Sequence, residues 1–255
     1  MVLLLFVDLD PDLAALDALG GFSVLRTGVP PHGPLPTLAR AYEAPEVDHP
    51  GEVYGDPMIF RVRKVAEGLR APEPRIAVSV AQQALAARLW SIALGAAAVY
   101  GRLPDLDPRL LRWDPDGSAP DDLWLSEVRA VPAHAIGTVV RDGHLAPLEA
   151  ALRSRYRVSP GLLRGNAASA LAGAWRQLDR WARAHGRADV AERARTLTVG
   201  LLSGPGLAGT LDPRTLRRRS CCLYYRLPGG GLCGDCCFDR PPGRTAGRRG
   251  TSPRS

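Results

Sequence analysis

All five cysteines of this 255-residue chain lie within one short segment near its C-terminal end, residues 221–237. The first four follow the pattern Cys-Cys-x10-Cys-x2-Cys. A Cys-x2-Cys turn brings two thiolates to one side of the backbone, which is the arrangement that metal ions require. Disulfides are disfavoured, because adjacent cysteines rarely bond each other and no secretory signal is evident. The segment therefore predicts a metal site.

The spacing leaves zinc and an iron–sulfur cluster as alternatives. A structural zinc site takes two ligands from each of two spaced knuckles, and the adjacent pair Cys221-Cys222 is unusual there. Neighbouring side chains on an extended chain point to opposite faces, so this pair reaches two metal atoms more easily than one. We expect Gly234 to adopt a positive φ within the Cys-x2-Cys turn, and residues 228–231, Pro-Gly-Gly-Gly, to fold the spacer back.

Residues 221–236, Cys-Cys-Leu-Tyr-Tyr-Arg-Leu-Pro-Gly-Gly-Gly-Leu-Cys-Gly-Asp-Cys, resemble the C-terminal signature of the FhuF-like ferric iron (siderophore-iron) reductases. Residues 162–169, Leu-Leu-Arg-Gly-Asn-Ala-Ala-Ser, are also similar to a segment of that family. In the family, the four cysteines ligate a [2Fe–2S] cluster that passes one electron to a ferric siderophore in the cytoplasm. The resemblance implies four cluster ligands and leaves Cys237 outside the pattern. They are Cys221, Cys222, Cys233 and Cys236.

Positive charge is concentrated around the cysteines. Residues 212–255 carry ten arginines and three aspartates, a net charge of +7 that equals the formal net charge of the whole chain. Arginines near an anionic cluster would favour its reduced form and attract anionic partners. The remaining body is close to neutral, which argues against an extended nucleic-acid surface.

The hydrophobic pattern predicts an α+β fold: a mainly helical domain with a small antiparallel sheet and a C-terminal cysteine-rich iron–sulfur module. Prolines 72 and 74 separate two of the helices, and Thr37 is placed to cap another. The expected helices span 10–18, 37–43, 56–70, 75–100, 146–156, 160–183 and 187–202, and the expected strands 110–113, 123–125 and 136–140, the last followed by a turn at 141–144. We expect three parts: residues 1–211 as a siderophore-interacting domain, 212–238 as the cluster module, and 239–255 as a disordered tail rich in arginine, glycine and proline.

The sequence does not support several other functions. The Gly-x-Gly-x-x-Gly at 204–209 follows a helix rather than a strand, so it indicates a loop and no dinucleotide site. The five histidines are dispersed and are expected at the surface or at caps. Residues 75–101 are apolar but interrupted by polar side chains, which favours a buried helix over a membrane span.

These observations predict a cytoplasmic iron–sulfur ferric-siderophore reductase that takes electrons from an external donor of the ferredoxin or flavin-reductase type. Catalysis would need no catalytic side chain beyond the cluster, and Glu127 and Arg129 are candidates for lining a siderophore pocket. Two alternatives remain open at this point: a zinc-ribbon protein that binds nucleic acid, and an iron–sulfur redox sensor or siderophore-binding protein without turnover.

Overall fold

The computed structural model describes residues 13–31, 33–43 and 54–242, and a long central helix organises them. This helix, Pro74–Tyr100, begins at a proline and ends at Gly101, whose φ is 71°. By length and composition it could cross a membrane, but 72% of its most apolar 18-residue window is buried inside the protein. It is apolar on nearly all sides because other elements pack around it, as expected for a core helix.

The helical predictions are largely confirmed. Thr37 accepts a hydrogen bond from the backbone N–H of Arg40 at 3.2 Å, and Asp56 caps the next helix through the N–H groups of Met58 and Ile59. Gly186, with φ 66°, separates the last two helices. The α-helices are α1 (Leu38–Tyr42), α2 (Pro57–Leu69), α3 (Pro74–Tyr100), α4 (Ala146–Arg155), α5 (Pro160–Ala184) and α6 (Ala188–Leu202), with 3-10 turns at Leu16–Leu19, Ala133–Ala135 and Tyr224–Arg226.

Two small sheets flank the helices. The expected strands at 110–113 and 123–125 form and pair antiparallel, with Arg112 opposite Trp124. A short strand that the pattern did not indicate joins them in parallel, and two more form a separate antiparallel ribbon. The strands are β1 (Arg26–Thr27), β2 (Arg102–Pro104), β3 (Leu111–Trp113), β4 (Leu123–Leu125) and β5 (Ala130–Pro132). The fold is thus mainly helical with minor sheets, as predicted.

The predictions of a strand at 136–140 and of a turn after it are wrong. Residues Gly137–Leu145 form a π-helix that runs directly into α4. The apolar side chains of Val140 and Leu145 are buried against the core, so tertiary packing outweighs the strand preference of a valine-rich run. π-Helices are rare and occur frequently at functional sites.

The histidine expectation also needs correction, because His144 is fully buried. Its Nδ1 lies 3.0 Å from the Tyr42 hydroxyl, and its Nε2 faces the backbone carbonyl of Leu106. Burial lowers the pKa of His144 to about 4, so the ring is neutral at physiological pH. The neutral ring can donate from Nε2 and accept at Nδ1, which satisfies both partners. His134 and His185 are exposed as expected, whereas His32 and His49 lie outside the described residues.

A buried ion pair fixes the N-terminal segment to the central helix. Arg88 Nε donates to Asp122 Oδ1 at 2.8 Å, with side chains only 1% and 8% exposed. The guanidinium also donates to the carbonyls of Gly21, Phe22 and Pro120. Four of its five polar hydrogens therefore point at acceptors, and the charge has a carboxylate partner, which offsets the cost of burying an arginine. Two predicted segments are described only in part. The structure describes the predicted helix at 10–18 from residue 13, and the predicted tail at 239–255 as far as residue 242.

Candidate metal centre

The cysteine module begins with a tight hairpin after α6. Asp212 N–H donates to the Arg217 carbonyl at 2.8 Å, and Arg219 N–H donates to the Thr210 carbonyl at 2.9 Å. The Asp212 carboxylate accepts from two backbone N–H groups in the bend, at Arg214 and Thr215. This hairpin sets the direction in which the chain enters the first cysteine pair.

The first cysteine pair lies in a turn made by a left-handed leucine. Leu223 has φ 68°, and its backbone N–H donates to Cys221 Sγ at 3.2 Å. A backbone donor is therefore aimed at a sulfur, and such hydrogen bonds raise the reduction potential of a cluster held by that sulfur.

The spacer folds back on itself, as predicted, through two consecutive turns. Leu227 N–H donates to the Tyr224 carbonyl at 3.1 Å, and Gly230 N–H donates to the Leu227 carbonyl at 2.9 Å. Gly229 has φ 73°. A Cβ on Gly230 would lie 2.3 Å from the Tyr224 carbonyl oxygen, so only glycine fits there. The turns shorten the ten-residue spacer and bring Cys233 back to the first pair.

The Cys-x2-Cys turn at residues 233–236 closes through a hydrogen bond from Cys236 N–H to the Cys233 carbonyl at 3.1 Å. The expected positive φ at Gly234 is wrong, since that residue is not among those with positive φ. Two arginines of the hairpin hold this turn: Arg218 N–H donates to the Asp235 carbonyl, and Arg217 Nε donates to the Cys236 carbonyl, both at 2.9 Å. The two halves of the motif are therefore tied together by backbone contacts.

A buried polar network attaches the module to α3 and α5. Ser79 Oγ donates to the Cys222 carbonyl at 2.8 Å, and Asn166 Nδ2 donates to Ser79 O at 3.0 Å. Asn166 Oδ1 in turn accepts from the Arg218 guanidinium. Asn166 and Gly165 belong to the 162–169 segment that resembles the family, so the structure gives that segment a physical role. Ser79 was not singled out from the sequence; its signal was a polar side chain in an apolar helix.

Close approach between α5 and the module depends on a glycine. A Cβ on Gly165 would lie 2.1 Å from Ser220 Oγ. Ser220 directly precedes the first cysteine in the chain. On the opposite side of the spacer, Arg226 Nη1 pairs with Glu73 Oε1 at 2.7 Å. Tyr225 packs edge-on against Phe238 with ring centroids 5.8 Å apart. The module is thus packed against the helical body and is not a loose appendage.

All five thiols are free, and they lie close enough to influence one another's pKa values. Cys222 acts on the pKa of Cys233, while Cys237 acts on that of Cys221. Cys236 interacts electrostatically with Cys221, Cys233 and Cys237. Within the described part of the chain, no three His, Cys, Asp or Glu side chains are gathered closely enough to hold a single metal ion.

Burial keeps three of the thiols protonated until a cation binds. It raises the pKa of Cys221 and Cys233, and it raises that of Cys237 to about 11, with neighbouring thiols adding to the shift. Thiolate is the form that ligates metal, so loading this site releases protons.

Arg218 supplies a buried positive charge that has no anionic side-chain partner among the described residues. It is 2% exposed, and its guanidinium meets the neutral amides of Asn166 and Gln83, while Nε has no acceptor. A buried guanidinium without a counter-charge is strongly unfavourable. Four thiolates around two ferric ions carry net negative charge, so the donor set and this arginine together fit an iron–sulfur cluster.

A groove of about 530 Å³ reaches the second cysteine turn between α3 and α5. Its floor is formed by small side chains such as Ala87 and Ala170, and Gly234 and Asp235 form its end. Arg176 lies on its wall. The groove gives a solvent route to the backbone between Cys233 and Cys236. Neither Glu127 nor Arg129 lines it; these two pair with each other at 2.6 Å on the surface.

Comparison with known proteins agrees with this geometry. Residues 218–238 match the family described as FhuF 2Fe-2S C-terminal domain. No curated protein matches the chain. The module is therefore an iron–sulfur domain of FhuF type, and its cofactor is a [2Fe–2S] cluster, which decides against the zinc alternative. The match is consistent with the FhuF-like family and covers the module alone. The ligand set Cys221, Cys222, Cys233 and Cys236 stays a prediction, as do the domain boundaries.

Proposed function

We propose that this protein is a ferric-siderophore reductase, in which one electron passes from the [2Fe–2S] module to Fe(III) held by a siderophore, releasing Fe(II). The observation that carries the proposal is the FhuF 2Fe-2S match at residues 218–238, which coincides with the folded thiol module. When bound, the cluster supplies one-electron redox chemistry. Oxygen donors hold Fe(II) more weakly than Fe(III), so reduction frees the iron.

The protein's own residues would position the partners and set the local charge. Leu223 N–H donates to Cys221 Sγ, and the Arg217 guanidinium interacts electrostatically with Cys236 and Cys237. Both interactions stabilise added negative charge on the sulfurs. The groove ending at Gly234 is the place where a chelate would approach the cluster, since it is open to solvent and adjoins the Cys-x2-Cys turn.

Electrons would come from an external donor of the ferredoxin or flavin-reductase type, because no cofactor motif of the chain supplies them. The proposal includes a cytoplasmic location, where free thiols remain reduced. The cluster, once held by the thiols, would supply one electron for each Fe(III) reduced. No side chain has to donate or accept a proton.

The test is a stopped-flow experiment on protein purified without oxygen and reduced with one electron equivalent of dithionite, half a mole per mole of cluster. We expect a ferric trihydroxamate to reoxidise the cluster, with one Fe(II) captured by ferrozine per cluster. The matched control is the gallium(III) complex of the same chelator, which has nearly the same shape and cannot accept an electron. A reduced cluster that persists in the presence of ferric chelates would refute the reductase proposal and favour the sensor or binding alternative.

A further inference from the structure

A second cavity, of about 400 Å³, lies on the helical body and includes no residue of the cysteine module. The end of the π-helix, α4, α5 and the loop after α6 enclose it. Its volume falls in the lower part of the range typical of small-molecule sites. Apolar atoms form most of its surface, contributed in part by Leu145, Leu163 and Leu207. The cavity is therefore apolar with a few polar groups, as ligand sites usually are.

The charged groups of the cavity leave one positive charge in excess. Three guanidiniums and two carboxylates line it. Arg141 pairs with Asp142 at 2.7 Å, and Arg164 pairs with Glu149 at 3.0 Å. Arg153 shares Glu149 at 3.8 Å, which is too long for a hydrogen bond. The cavity thus presents a guanidinium that an anion can engage directly.

Two glycines lie beside one of these arginines. A Cβ on Gly137 would lie 3.5 Å from Arg141 Nη1, and a Cβ on Gly204 would lie 3.6 Å from the same atom, both ordinary van der Waals distances. Arg141 belongs to the π-helix, an element that is rare in proteins and frequent at functional sites.

One further residue of the cavity wall carries a buried acceptor atom without a hydrogen-bond donor among the described residues. Gln82 is 2% exposed; its Nε2 donates to the Leu163 carbonyl at 3.2 Å, and its Oε1 has no partner among the described residues. A buried acceptor without a donor is unfavourable, and a ligand that brings a donor to this wall would relieve it.

We propose that this cavity binds a small organic monocarboxylate with an apolar body. The apolar wall favours the body, and Arg153 with Arg141 and Arg164 favours the carboxylate, which guanidinium groups bind in bidentate fashion. A single excess positive charge matches a monoanion better than a phosphate dianion. This site is distinct from the proposed reductase function, since it needs neither the cluster nor electron transfer.

The test is isothermal titration calorimetry of the oxidised, cluster-loaded protein with 3-phenylpropanoate as the probe. We expect a Kd of about 1 mM or tighter. Replacing Arg153 by Gln should weaken binding by about tenfold or more, because one charge-assisted contact is lost. Replacing Ala150, an exposed residue at the cavity, by Phe should abolish binding by filling the space. Arg180→Gln is the matched control: Arg180 is exposed on α5 outside the cavity, and its loss should leave the Kd unchanged.

Two comparator ligands, one neutral and one dianionic, test whether the cavity recognises the carboxylate. The amide 3-phenylpropanamide has the same shape without the charge and should bind at least about tenfold more weakly. Phenyl phosphate should also bind more weakly than the carboxylate. The proposal is overturned by no detectable binding of the carboxylate to folded protein, by equal binding of the amide, by tighter binding of the phosphate, or by an equal effect of Arg180→Gln. Siderophore reduction can succeed or fail independently of each result.

Discussion

The three consecutive glycines of the spacer offer a sharp test of how the module folds, because each should respond differently to alanine. At Gly230 a Cβ would lie 2.3 Å from the Tyr224 carbonyl oxygen and 3.1 Å from the Leu227 carbonyl oxygen. Cβ atoms essentially never approach other atoms closer than 3.0 Å, so backbone must move. Overpacking of this kind costs about 1–3 kcal/mol.

Gly229 and Gly231 provide the comparison within the same turn. A Cβ at either position meets no atom within 4 Å, but Gly229 has φ 73°. A side chain in that left-handed region costs about 1–2 kcal/mol. Gly231 has no positive φ, and its replacement by alanine should be neutral or slightly stabilising through the unfolded state. The expected order of damage is therefore Gly230→Ala, then Gly229→Ala, with Gly231→Ala harmless.

The assay is the rate at which a strong iron chelator bleaches the cluster absorbance. If cluster loss proceeds through local opening of the spacer, each 1.4 kcal/mol accelerates bleaching about tenfold. We expect acceleration of about fivefold to a hundredfold or more for Gly230→Ala, and of about fivefold to thirtyfold for Gly229→Ala. Gly231→Ala should stay within about twofold of the wild type. Equal rates for the Gly230 and Gly231 variants would refute the proposed geometry of the spacer.

Three further predictions concern the thiols, the docking network and the buried histidine. Replacing Cys233 by Ser should abolish the cluster, whereas Cys237→Ser should keep two irons and two sulfides per chain; loss of the cluster in the second variant would place Cys237 in the ligand set. Replacing Asn166 by Leu leaves the buried guanidinium of Arg218 without one of its two amide partners, so we expect the free energy of unfolding to fall by about 1–3 kcal/mol in urea titration. An unchanged urea midpoint would contradict the network. For His144, the pKa is about 4 in the folded protein and 6.5 for an unperturbed histidine, so the unfolded chain binds more protons between these pH values. Stability should therefore fall by about 2 kcal/mol as pH drops from 7 to 5, and a His144→Gln variant should lose that part of the slope; an identical slope in both proteins would show that another group is responsible.

The helical part of the fold follows closely from local sequence signals. Prolines start α2 and α3, Thr37 and Asp56 supply capping oxygens, and Gly186 separates α5 from α6. These devices act over a few residues, so they can be recognised without knowledge of the tertiary structure. The presence of a metal module also followed from local features, since the thiols lie close together in the chain; the spacing alone left zinc and an iron–sulfur cluster as alternatives.

The π-helix shows where local signals mislead. A run with Thr138, Val139 and Val140 favours a strand by composition, yet it adopts a helix because Val140 and Leu145 are buried against the core. Short strands such as β1 and β5 were missed for a related reason: with two or three residues, they carry too little periodicity to be recognised.

The sequence by itself determined that a cysteine-rich metal module lies at residues 221–237, because the spacing of thiols is a local property, and the resemblance of residues 221–236 to a known family distinguished iron–sulfur from zinc. Only the tertiary structure decided how that module is held. Ser79 lies 143 residues before Cys222, and Asn166 lies 52 residues before Arg218, yet these side chains form one buried network. Such contacts depend on which helix faces pack together, and that choice is made by burial of the whole core. The same packing created the two cavities and brought Cys237 to Cys221, which no spacing along the chain specified.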